Sequence, residues 1–381
     1  MTPFDPVDLL LLLQECSNET ATSFNASCPA LAPPDGELPL NPNAPSMWST
    51  TLGTLAACCV MIAIGVALRM FTRIHIVKRF FALEDTLIII ATIFFAPIAG
   101  LQLKAYQYGA SKHQWNVTIG DLYIALRYVY AVQIFYCLAL YSAKISILLQ
   151  IKHIFEGTQQ RKAFIFWASW ALIISVSCAY LSTLMVLIFS CTPVRKAWDP
   201  LIPGRCHNSS AGYISGAINL ISDVAVLLLP VTGVAKLQME TRKKVAVSAV
   251  FATGLIACSV SALRLYYSSH EAKSKDKTYW LALVGLCGAV EIAMVILCGC
   301  FTSFPRFLQW LRHERTGSKR YGSRQYKKSY GYASEDQSRN YGYGSESQSR
   351  LRYETPPPMR MGRLGVMNEV RAAHQDWRLL R

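Results

Sequence analysis

The sequence predicts an all-α protein, a seven-transmembrane helix bundle with disordered amino- and carboxy-terminal tails. Three observations predict it. Of 381 residues only 16% are charged and 52% are hydrophobic, whereas soluble domains carry about 25% charged residues. Seven windows are apolar and long enough for a bilayer core, which takes roughly 20 residues per helix. Polar sequence gathers at the ends, so the chain divides into an external tail (1–47), a helical domain (48–304) and a basic cytoplasmic tail (305–381).

The first 47 residues contain no Lys or Arg, which allows them to be drawn outside by the first helix. Leu9 to Leu13 is an apolar run, but it is too short for a secretory signal and follows Asp5 and Asp8, so no cleavage is expected. Helix one, Trp48 to Leu68, is charge-free and is followed by Arg69, Arg73, Lys78 and Arg79, a cytoplasmic signature. Helix two, Thr86 to Leu103, is opened by Glu84 and Asp85. Helix four, Ala163 to Val194, and helix six, Val245 to Leu263, are also charge-free. Each of the other three spans holds one charged residue in its interior: Arg127 to Ile151 around Lys144, Ala211 to Ala235 around Asp223, and Thr278 to Phe304 around Glu291. None of the charge-free windows has the polar stripe of a soluble helix. Beyond the helices, the tail carries sixteen Lys and Arg against seven acids, which agrees with an inner location. Within it, 329–339 is repeated as 340–350 with eight of eleven positions identical, a low-complexity pattern too polar to fold.

All four glycosylation sequons, at Asn18, Asn25, Asn116 and Asn208, fall in segments expected outside. So do four of the twelve cysteines, Cys16, Cys28, Cys191 and Cys206. Two bridges are expected in that oxidising compartment. Cys191 with Cys206 closes the loop after helix four, and Cys16 with Cys28 staples the tail, although four cysteines admit three pairings.

Ionisable side chains at bilayer depth are costly and mark function by default. Lys144 lies in the inner half of helix three, about level with Glu84 and Asp85, and is expected to pair with one of them. Asp223, Asn219 one turn away, and Glu291 are expected to share a deeper polar core. Arg127 and Arg264 are expected near outer helix ends, with their charged heads reaching the interface.

The histidines are expected in loops and tails, so haem and zinc sites would lack intramembrane ligands. Helix seven has no lysine for a retinal Schiff base, and no phosphate loop or hydrolase elbow occurs. The expectation is a non-enzyme without cofactor or metal, and without nucleic acid as a partner.

The chain resembles the fungal rhodopsin-domain integral membrane proteins. The resemblance is carried by Leu68-Arg69 with Arg73, Glu84-Asp85, the run Lys144 to Leu149, Cys191-Thr192-Pro193 with Trp198 and Cys206, Asn219 with Asp223 and Pro230, Leu237-Gln238-Met239, Arg264, Asp276-x-Thr278 and Glu291. That family includes surface-sensing, G-protein-coupled-receptor-like proteins and members found in metabolite clusters. It implies a seven-helix receptor fold. Unlike its best-known sensors, this chain has only two cysteines in its amino-terminal tail. Unlike animal receptors, it lacks Asp-Arg-Tyr after helix three and Asn-Pro-x-x-Tyr in helix seven.

The leading functional reading is a plasma-membrane sensor of an unidentified extracellular ligand, embedded in the lipid bilayer. A cytoplasmic surface of Arg161, Lys162, Lys236, Arg242, Lys243, Lys244 and the tail would meet a G protein or another signalling partner. The alternatives are a small-solute or proton-coupled transporter and a non-signalling accessory protein of a metabolite gene cluster.

Overall fold

The structure, a computed structural model, describes residues 28–311 apart from 35, 42, 78–81, 156–161, 200–201, 207–210, 235–240 and 305. Among the described residues there are seven long helices: α1 Trp48–Phe71, α2 Leu83–Ala105, α3 Ile119–Phe155, α4 Lys162–Ile188, α5 Ala211–Val234, α6 Thr241–Lys273 and α7 Lys277–Phe301. Among the described residues, all but α6 are long and apolar enough to cross a membrane. In α6 the charge-free run Val245 to Leu263 begins with six side chains that lie outside the described set.

The bundle is built around α3 and α7. In these two, 67% and 61% of the apolar window is buried, against 22% in α1 and 17% in α4, so the outer helices present one whole side to the surroundings. On that side Trp167, Ile221 and Ile64 are 70%, 68% and 63% exposed, as expected of a surface solvated by lipid. Small residues at helical spacing, Ala139 and Ala143 on α3 and Ala289 and Ala293 on α7, are fully buried and allow close helix approach. Around them pack Ile88, Phe95 and Ile98 of α2 and Leu140 and Leu148 of α3.

One end of the bundle carries the long loops. There β1 (Cys191–Thr192) pairs antiparallel with β2 (Arg205–Cys206), and the expected Cys191–Cys206 disulfide joins them. The external segment is not wholly a free tail. From residue 28 it lies against the α2–α3 connection: Ala30 N–H donates to Val117 O (2.9 Å), Ile119 N–H to Cys28 O (2.9 Å) and Met47 N–H to Ser111 O (3.2 Å). Burial of Cys28 and Ala30 against Val117, Ile119 and Leu122 supplies the apolar contact that holds this strap down. Cys28 is disulfide-bonded, while Cys16, its expected partner, lies outside the described residues. Gly109 ends the α2 extension at φ +88°, and a Cβ there would come within 2.9 Å of Val117, so both backbone and space require glycine.

The same end is clasped across the bundle. His113 Nδ1 lies 2.5 Å from Asp276 Oδ2, and its ring stacks between Trp115 (4.4 Å) and Tyr279 (4.6 Å). At the opposite end, residues 306–311 are helical, and Phe307 and Trp310 meet Phe71 of α1 edge-on at 6.2 and 5.6 Å. The rest of the low-complexity tail lies outside the described residues.

Candidate functional site

Among the described residues, the intramembrane ionisable side chains form two networks. The first joins α3, α4, α5, α6 and α7. Lys144, 1% exposed, donates to Asp223 Oδ1 (2.8 Å), Asn219 Oδ1 (2.8 Å), Asn219 O (3.2 Å) and Ser222 Oγ (2.6 Å). The ring of Tyr180 lies under the ammonium at 5.3 Å. Glu291 is 0% exposed and accepts from Tyr136 Oη (2.6 Å), with Arg264 Nε at 3.2 Å from the same oxygen. Arg264 in turn covers the Tyr136 ring at 4.7 Å.

Asn219 links the two ion pairs because an amide both accepts and donates. Its oxygen accepts from Lys144 and Tyr180, while its nitrogen donates to Asp223 (3.5 Å) and Glu291. Ser261 Oγ touches Asp223 Oδ2 (2.7 Å) and Glu291 as well. Its single hydrogen serves one carboxylate at a time. Two cations thus face two carboxylates, which keeps the buried core formally neutral. Such a core adds little net stability but is costly to unbalance, because removing one member strands a charge in a low-dielectric interior.

The second network joins α1, α2, α3 and α7 near the opposite end of the bundle. Arg69, 1% exposed, donates to Asp85 Oδ1 through Nε (2.9 Å) and Nη2 (2.5 Å), and through Nη1 to Gln150 Oε1 (3.2 Å) and Gly299 O (2.7 Å). Arg73 reaches Glu84 Oε1 (2.5 Å) and Asp85 Oδ2 (3.2 Å). Gln150 donates to Ser146 Oγ (2.9 Å), which donates to the Glu84 carbonyl (2.5 Å).

This arrangement corrects the expected pairing of Lys144 with Glu84 or Asp85. Residues on a helix are about 100° apart, so Lys144 is turned about 200° from Ser146. Ser146 and Gln150 face α2 and the arginines, whereas Lys144 faces α4 and α5. Asp85 and Glu84 instead take Arg69 and Arg73, cations that charge counting had assigned only to a cytoplasmic loop. The expected grouping of Asn219, Asp223 and Glu291 is present as geometry, with Lys144 added to it. A second correction concerns Arg264. It is not at a helix end, since α6 continues nine residues to Lys273, and its side chain is 14% exposed against Glu291. Arg127 does lie near the loop end, exposed and over the Tyr123 ring at 4.4 Å.

Sequence reasoning missed Tyr136, Tyr180, Ser222 and Ser261, because hydroxyl side chains in apolar helices carry no signal of their own. Of the sequons, Asn116 accepts the Asn41 N–H (3.0 Å), and Asn18, Asn25 and Asn208 lie outside the described residues. The expected coupling surface is outside them too for Arg161 and Lys236. Lys162, Arg242, Lys243 and Lys244 lie in the first turns of α4 and α6, with side chains that are not described.

No solved structure matches the chain. Fugralins biosynthesis cluster protein 2 of Gibberella zeae is 28% identical over 288 residues, 74% of this chain and 71% of that protein. A SAT4 family membrane protein of Emericella nidulans is 32% identical over 214 residues, 55% of this chain and 53% of the relative. Receptor GIN3 of Arthrobotrys oligospora is 21% identical over 142 residues, 36% of this chain and 34% of that protein. Residues 68–310, well over half of the chain and including α2 to α7, match the fungal rhodopsin domain. The chain is a multi-pass membrane protein and belongs to the fungal rhodopsin domain family.

Proposed function

We propose that the chain is a non-enzymatic, ligand-responsive sensor in the plasma membrane, with its amino terminus outside and its basic tail in the cytoplasm, acting on a partner such as a heterotrimeric G protein. The observation that carries this reading is the neutral ionic core. It joins four helices through Lys144, Asn219, Asp223, Arg264 and Glu291 and reaches a fifth, α4, through Tyr180, and moving any one of the four must re-pair or strand a charge. Two discrete pairings separated by a few kcal/mol are what a switch requires. The shared posts α3 and α7 also enter the Arg69–Asp85 network, so a shift in the first network is felt in the second. A relative named Receptor GIN3 agrees with the reading. The names of two relatives, cluster proteins for fugralins and wortmanamides, favour the second reading of an accessory protein in a metabolite cluster.

The test is to challenge cells expressing the natural chain or Asp223→Asn with organic extracts of fungal cultures. Cyclic AMP, G-protein recruitment and solute uptake are recorded in parallel. The sensor reading expects an extract-dependent signal that Asp223→Asn abolishes. Asp223-dependent uptake without any signal would replace it with the transporter.

A further inference from the structure

Below the first network, on the side away from the disulfide, a cleft opens among α3, α5, α6 and α7. It is narrow and open at its mouth, with a cavity volume of about 40 Å³, and its walls include Ile147, Ile151, Val226, Ala257 and Val295, with Lys144 and Asp223 at the head. From Lys144 to Ile151 it follows seven residues of α3, or about 10 Å. Apolar walls that converge on a few polar groups are the usual form of a small-molecule site.

The polar head can read only one kind of partner. Lys144 has three hydrogens, and all are engaged, since four acceptors surround it: Asp223, Ser222 and Asn219 twice. Asp223 is 8% exposed, and a carboxylate has about four acceptor sites. Oδ1 receives Lys144 and Oδ2 receives Ser261 and, at 3.5 Å, Asn219. Among the described residues, this leaves one site for a further donor. A carboxylate ligand finds no hydrogen there and brings an unbalanced charge into a neutral core.

We infer that this cleft binds a slender apolar molecule with one hydrogen-bond-donating head, an aliphatic alcohol or amine, whose head meets Asp223 and whose chain lies along Ile147 and Ile151. Binding rests on the cleft alone. Only its signalling consequence rests on the sensor reading, because the occupant would sit on the ionic core. A membrane lipid and a free lipophilic metabolite share this chemistry.

The experiment uses the full chain in phosphatidylcholine nanodiscs and a decanol probe with a diazirine in its chain, followed by irradiation and peptide mapping. Adducts are expected on 147–151 of α3 and on α5 beside Val226. Unlabelled decanol and decylamine should compete and decane should not. Ala257→Phe should lower labelling about tenfold by filling the cleft. If that variant fails to fold, the competition series on the natural chain still decides. A lipid that is extracted with the purified chain and displaced by decanol assigns the membrane source, and the absence of one assigns the free metabolite. Labelling confined to lipid-facing Ile174 and Ile221, or decane competing as well as decanol, overturns the inference. Cleft labelling in a chain that gives no signal retains the site and removes the sensor reading, and the reverse outcome does the opposite.

Discussion

Replacing Lys144 by Met leaves a side chain of similar length and removes the only ammonium in the first network. Four acceptors lose the ammonium, Asp223 Oδ1, both oxygens of Asn219 and Ser222 Oγ, although Asn219 Oδ1 keeps Tyr180 and Asn219 O keeps Ser222 as donors. Asp223 remains buried with Ser261 and a 3.5 Å contact from Asn219 as its nearest donors. Breaking one side of a buried ion pair costs about 3–5 kcal/mol, whereas replacing both members by apolar residues is often neutral. Lys144→Met should therefore be less stable by about 3–5 kcal/mol, and Lys144→Met with Asp223→Leu should recover most of that loss. The assay is unfolding by SDS titration of the purified chain, followed by tryptophan fluorescence, for both single variants and the double. The coupling between positions 144 and 223 should exceed about 2 kcal/mol. Additive losses, or a single variant as stable as the natural chain, would refute the argument that the charge is balanced locally. Recovery by Glu84→Gln or Asp85→Asn in place of Asp223→Leu would refute the assignment of partners.

Three further outcomes follow from the geometry. Arg69→Lys keeps the charge but cannot reach Asp85, Gln150 and Gly299 together, so the same titration should show a loss of about 2–4 kcal/mol, and Lys at this site should not substitute for the fork of a guanidinium. Cys191→Ser opens a loop of sequence separation 15, which chain entropy values at about 3 kcal/mol, and it should lower the yield of folded protein while Cys59→Ser, a free and exposed cysteine, leaves it unchanged. Gly109→Ala combines a positive φ with a 2.9 Å approach to Val117, so a loss of about 1–2 kcal/mol is expected. Adding Val117→Ala should relieve only the steric part, and full recovery would show that the backbone conformation is not strained.

The fold was legible because its signal is one-dimensional. A bilayer requires a run of apolar residues, and such runs are counted directly, so Trp48 to Leu68 or Thr86 to Leu103 needed no partner to be read as spans. The Cys191 and Cys206 loop was legible for a similar reason, both cysteines flanking one short connection. The strap from residue 28 was not, since Cys28 and Ala30 bury themselves only against Val117, Ile119 and Leu122, nearly ninety residues away.

Composition and periodicity by themselves determined that charge is scarce in the helices and which acids and which lysine bear it. Pairing was beyond them, because it depends on rotation about each helix axis and on which helices touch. Two positions along α3 amount to about 200° of turn, and this sends Lys144 to Asp223 and Ser146 to Glu84 although both stand at similar depth. Arg69 looked like a loop cation because a charge count has no depth. Only the tertiary structure placed it inside, where Asp85, Gln150 and the Gly299 carbonyl converge and replace the water that a guanidinium must otherwise keep.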